Sequence, residues 1–155
     1  MNWYCVDYWS NQLNLDIARL KAEVDHLIAV HPHVIEFLES IKAAGKRVSL
    51  VTNAHQKSLM LKMERTALHH HFDDIICAHD FGLPKEAPEF WSKLNQTLDF
   101  DKQQTLLVDD TLSVLRSAKK YGIQHLLAVL NPDSQAPQRN TEEFQAIQDF
   151  RDITP

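Results

Sequence analysis

Four short apolar runs, 47–52, 74–78, 105–108 and 125–130, alternate with segments whose apolar residues recur every three or four positions. The runs are brief and carry β-branched residues such as Val48, Val51, Ile75 and Ile76, as buried strands do, whereas the three-to-four spacing is that of one helix face. Strand and helix in alternation restrict the chain to an α/β fold with a parallel sheet covered on both faces. Its 155 residues are enough for one such domain without covalent staples, since a chain of this size buries roughly 70% of its unfolded surface.

The helical segments have legible ends. Leu13, Ile17, Leu20, Val24, Leu27 and Ile28 predict one helix from about Trp9 to Val30, stopped by Pro32. Val34, Phe37, Leu38 and Ile41 predict a second over 33–44, with Gly45 as its left-handed cap. Further helices are expected over 56–69, 87–97 and 112–121. The tail, with Pro132 and Pro137, reads as a loop followed by a weak helix near 141–150.

Composition narrows the class of function. A formal net charge of −5 lacks the basic excess of a nucleic-acid binder, so small anionic substrates are compatible only where a cation mediates. No apolar run approaches the roughly 20 residues of a spanning helix, and the start MNWYCVDYWS has neither the basic nor the apolar region of a secretory signal. Cys5 and Cys77 are too few for a disulfide framework, and Cys77 lies inside an apolar run, which fits a reducing cytoplasm.

In sheets of this type ligands bind beyond the carboxyl ends of the strands. The first run ends in Thr52-Asn53, a hydroxyl and an amide, with His55 just beyond. The third ends in Asp109-Asp110, two like charges that need a cation or N–H donors to coexist. Lys85 stands in the loop FGLPKE, before a helix. A hydroxyl, an ammonium and a carboxylate pair suit a phosphate held beside a divalent cation: Thr52 donating to a phosphoryl oxygen, Lys85 neutralising it, Asp110 with Asp109 holding the metal. Singly, each also fits a capping or solvated residue.

Taken in order, VTN, GLPKE and LLVDD resemble the second, third and fourth motifs of the haloacid dehalogenase superfamily of phosphohydrolases. The resemblance runs from about Val34 to Asn131. More narrowly, NWYCVDYWSNQLNLDI, VTNAHQKSL, FGLPKEAPEFW and LAVLNPDS are similar to bacterial purine-nucleotide 5′-monophosphatases acting on GMP and IMP. It implies a Rossmann-like core, Mg²⁺ as cofactor held by Asp109 and Asp110, catalytic roles for Thr52 and Lys85, and substrate contacts from Asn53 and His55. The implied partner is a purine nucleoside monophosphate, with no nucleic acid and no membrane.

The same resemblance calls for an aspartate nucleophile in a D-x-D motif at the end of a strand, which would accept the phosphoryl group. The one Asp-x-Asp here, Asp99-Phe100-Asp101, follows a helical segment instead. The expectation is therefore that residues 1–31 belong to a helical cap, that residues 32–155 form the core, and that the nucleophile lies on a central strand outside these residues, through truncation, a misplaced gene start or real loss. Without that strand, the strands over 47–52 and 105–108 are expected to be complemented, to pair with each other, or to self-associate.

Nine histidines, among them His69-His70-His71 and the pair His31 and His33, show no zinc spacing, because consecutive side chains on a helix fan to different faces. Trp3, Tyr4, Tyr8 and Trp9 are expected to pack as a cap core, or alternatively to stack on a base. Asn131 and Asp133 read as turn formers or substrate contacts. The rival function is a non-catalytic binding or interaction module with the same fold.

Overall fold

The computed structural model describes residues 1–133 and 136–155. Ser134, the last residue of NPDS, falls outside them. The chain is α/β with parallel strands, and it divides into two compact units, 1–84 with 154–155, and 85–153.

In the first unit the expected long N-terminal helix is two helices, α1 (Val6–Leu13) and α2 (Ile17–Glu23). The break has a local cause. Asn14 takes the left-handed conformation at the end of α1, which Asn tolerates well, and the Asp16 carboxylate caps α2 by accepting the Arg19 N–H at 3.0 Å. Helix α3 (Val34–Ala43) buries Phe37 and Leu38 and stops before Gly45, whose φ of +67° suits glycine.

Strand β1 (Ser49–Thr52) pairs in parallel with β2 (Asp74–Cys77), Ser49 opposite Asp74 and Thr52 opposite Cys77. Helix α4 (Gln56–Thr66) joins them, shorter than expected because Ala67 turns left-handed; the histidine run then forms a 3₁₀ turn. Arg47 clamps the start of this sheet, donating to both Asp74 oxygens at 2.8 and 2.9 Å. Trp3 is 75% exposed, with its ring edge to face with that of Trp9 at 5.8 Å, so the expected aromatic core fails at that residue.

In the second unit, α5 (Pro88–Leu98) buries Phe90, Trp91, Leu94 and Leu98, and the Trp91 indole donates to Ser117 Oγ at 3.0 Å. Strand β3 (Leu106–Asp109) pairs with β4 (His125–Val129) in parallel, and α6 (Leu112–Tyr121) connects them, ending at Gly122. Leu115 and Ala128 form the core with Phe144.

The tail departs from expectation. Instead of a helix it forms β5 (Ala146–Ile147), parallel to β4, then a 3₁₀ turn at Phe150–Ile153. Glu142 has a φ of +49°, which breaks a helix, and Arg116 on α6 pairs with both Glu142 and Glu143. Burial of Phe144 and Ile147, together with the open edge of β4, outweighs a weak helical propensity. β1 thus belongs to a two-stranded sheet and β3 to a three-stranded one, and among the described residues they share no ladder.

Candidate active site

Each predicted site residue stands at the carboxyl end of a strand or in the loop beyond one. In the first unit Thr52 closes β1, and its hydroxyl oxygen accepts the Ala54 N–H at 3.0 Å. Accepting there leaves the hydroxyl hydrogen to donate, the role a phosphoryl oxygen requires. Asn53 is buried. His55 is the N-cap of α4, with Nδ1 accepting the Lys57 N–H at 3.4 Å and Nε2 lying 3.8 Å from Asp7 Oδ2.

In the second unit Lys85 and Asp109 meet. Lys85 Nζ donates to Asp109 Oδ2 at 2.6 Å, with the two side chains 12% and 5% exposed. The other Asp109 oxygen accepts the Thr111 N–H at 2.9 Å. This carboxylate at the end of a buried strand is thus held by an ammonium and a backbone donor, as two adjacent acids require. Asp110 differs. Its carboxylate is about half exposed; Oδ1 accepts the Thr111 hydroxyl at 3.3 Å and Oδ2 lies 3.6 Å from Arg139 Nη1.

That difference decides which acid suits a hard cation. Mg²⁺ takes one or two carboxylates and keeps several waters, and the accessible Asp110 offers such an oxygen. Asp109, already neutralised by Lys85, fits as a ligand acting through water. Sequence reasoning missed Arg139, which sits in a loop region without apolar period; its guanidinium also lies 3.4 Å from the Asp110 carbonyl oxygen. It also missed a grouping in the first unit, where Cys5 and His79 stand with His55. No short spacing announces that set. Thr52, Asn53 and His55 share one unit and Lys85, Asp109 and Asp110 the other.

Among the described residues, no helix is long and apolar enough to cross a membrane. The sequence profile of haloacid dehalogenase-like hydrolases matches residues 7–128. The chain is similar to GMP/IMP nucleotidase YrfG of Escherichia coli (strain K12), at 37% identity over 155 residues, which is all of this chain and 70% of that protein. It is similar also to glyceraldehyde 3-phosphate phosphatase of Methanocaldococcus jannaschii, at 29% identity over 98 residues, 63% of this chain and 43% of that protein. Among solved structures, a HAD phosphatase from Thermococcus onnurineus matches with a TM-score of 0.79 at 22% identity, covering 98% of this chain and 70% of that one. A fold likeness at that identity establishes the architecture alone.

Proposed function

This chain belongs to the haloacid dehalogenase-like hydrolase family, and from that premise we propose that it carries most of the site of an Mg²⁺-dependent, cytoplasmic phosphatase for purine nucleoside monophosphates such as GMP and IMP. The observation that carries the reading is the buried Lys85–Asp109 pair at the end of β3, with the accessible Asp110 beside it. The 37% identity to a GMP/IMP nucleotidase supports the purine substrate. In this reading residues 1–31 are part of a helical cap and residues 32–155 form the core.

Each side chain has a separable task. Thr52 donates its hydroxyl hydrogen to a phosphoryl oxygen. Lys85 presents an ammonium whose charge is balanced at rest by Asp109, so it is positioned before substrate arrives. Asn53 and His55 orient the substrate from the loop after β1. Asp110, with Asp109 through water, would hold Mg²⁺, which when bound supplies positive charge to the transferring phosphoryl group.

Among the described residues, no acceptor aspartate in a D-x-D motif closes a strand. Asp99 caps α5 in the left-handed conformation, and Asp101 accepts the Gln103 N–H in the turn that follows. Asp109, enclosed by Lys85 and the Thr111 N–H, serves as a counter-ion rather than a nucleophile. Covalent phosphoryl transfer splits one difficult step into two, and the residues here cannot perform the first. Purified 1–155 is therefore expected to bind GMP in the presence of Mg²⁺, with Lys85→Ala and Asp110→Asn each weakening binding about tenfold, or roughly 1.4 kcal/mol. It is expected to release no phosphate. Binding untouched by both substitutions would remove the site, and Mg²⁺-dependent turnover would show that the nucleophile lies within these residues. The second reading, a binding module, is favoured if GMP is bound by the longest form of the protein without turnover.

A further inference from the structure

In the first unit three side chains of zinc-ligand type come together outside the residues used above for charge stabilisation. Cys5 is the N-cap of α1, His55 the N-cap of α4, and His79 lies in the 3₁₀ turn after β2. One ligand atom from each lies within 4.8 Å of the other two, and all three residues are half-buried. The geometry points to a zinc site formed by Cys5, His55 and His79, with water completing a four-coordinate ion.

His79 is the residue best prepared to ligate a metal. Its ring bonds the backbone carbonyl of Asn53, while Nε2 is buried and has no hydrogen-bond partner. The bond to Asn53 is therefore made by Nδ1–H, which places the lone pair on Nε2. A ring anchored through one nitrogen to a backbone carbonyl, with the other unpaired, is the arrangement that orients histidine ligands in zinc sites.

The other two residues can join at small cost. The rings of His55 and His79 meet edge to face with centroids 5.1 Å apart. Through Nδ1, His55 gives up one long bond, the 3.4 Å contact from the Lys57 N–H; through Nε2, it gives up the 3.8 Å approach to Asp7 Oδ2. Cys5 Sγ accepts the Tyr8 N–H at 3.4 Å, a donor that suits a metal-bound sulfur. Tetrahedral zinc, at about 2.0–2.3 Å from each ligand, sets them roughly 3.5 Å apart, so the cluster must tighten by about 1 Å. One thiolate with two imidazoles selects zinc over Mg²⁺ or Ca²⁺, which take oxygen. The bound ion would tie the N-terminal segment to the ends of β1 and β2. The inference shares His55 with the phosphatase reading but is tested through Cys5 and His79, which that reading does not use.

The test is a titration of reduced, metal-free 1–155 with Zn²⁺, and with Co²⁺ as a spectroscopic probe. One equivalent of Zn²⁺ should bind and raise the melting temperature, slow alkylation of Cys5, and weaken at least tenfold in Cys5→Ser and in His79→Gln. Co²⁺ should show a thiolate charge-transfer band that Cys5→Ser abolishes. A His69→Gln/His70→Gln control should bind as the parent does. Absence of saturable binding, alkylation of Cys5 unaffected by Zn²⁺, a Co²⁺ band that survives Cys5→Ser, or loss of binding in the control would each overturn the proposal; the alkylation readout needs no variant to fold.

Discussion

Asp109 and Asp110 are adjacent in sequence, yet their side chains stand in opposite environments. Asp109 ends β3 inside the second unit with Lys85 against it, while Asp110 reaches water beside Arg139. A buried pair is costly to break and cheap to replace, because its attraction is spent on offsetting desolvation. Asp109→Ala is therefore expected to destabilise the chain by about 3–5 kcal/mol, since it leaves the Lys85 ammonium without its carboxylate. The double variant Lys85→Met/Asp109→Leu should recover most of that loss. Urea denaturation of the two singles and the double checks this; a double variant as unstable as the sum of the singles would mean the pair is not coupled. The order of GLPKE and LLVDD made Lys85 and Asp109 legible as candidate site residues in the sequence, but not their direct contact, because sequence order carries no information on which oxygen faces which ammonium.

At the scale of elements, the first sheet is held in register at its start as well as by its ladder. Arg47 grips Asp74 with two bonds, and Ser49 donates to the same carboxylate at 2.8 Å. The Arg47 hydrogen bonds, ahead of burial, which acts the other way, hold Asp74 below the usual carboxylate range. A depressed folded pKa contributes stability that is fully present above the unfolded value, about 3.9, and is lost as pH falls through the folded value. Arg47 is half exposed, so solvent limits the contribution to roughly 1 kcal/mol or less. Arg47→Met should thus lower stability by at most about that amount at pH 7, with the difference closing in acid. A gap between parent and variant that persists well below the carboxylate range would assign the effect to packing of the Arg47 stem instead. The helix breaks at Asn14 and Ala67 belong to this scale too: the apolar period ran through both positions, and nothing in that period marks a single left-handed residue.

Across the whole molecule, β1 and β3 each end a sheet, and Leu106 on β3 is 44% exposed. Unpaired strand edges template pairing with another chain, and net charge opposes it. The chain carries a formal charge of −5, with an isoelectric point near 5.9. Self-association measured by light scattering should therefore rise as pH is lowered from 8 towards 6 and fall when Lys is placed at Leu106. Equal scattering at both pH values, for parent and variant alike, would mean that the strand edges do not drive association.

The sequence by itself determined the α/β class, the order of strands and helices through α6 and β4, the strand-end positions of Thr52, Asn53, Asp109 and Asp110, and the loop position of Lys85 before α5. Hydrophobic period and strand-end chemistry are local properties that a linear reading captures. Only the tertiary structure decided that the tail adds β5 to β4, that Asp109 is buried on Lys85 while Asp110 is accessible, and that Cys5, His55 and His79 converge. Each of these is a contact between residues more than a dozen positions apart. Such contacts are set by which open edges and buried volumes the folded elements leave to be filled, and no spacing along the chain records that.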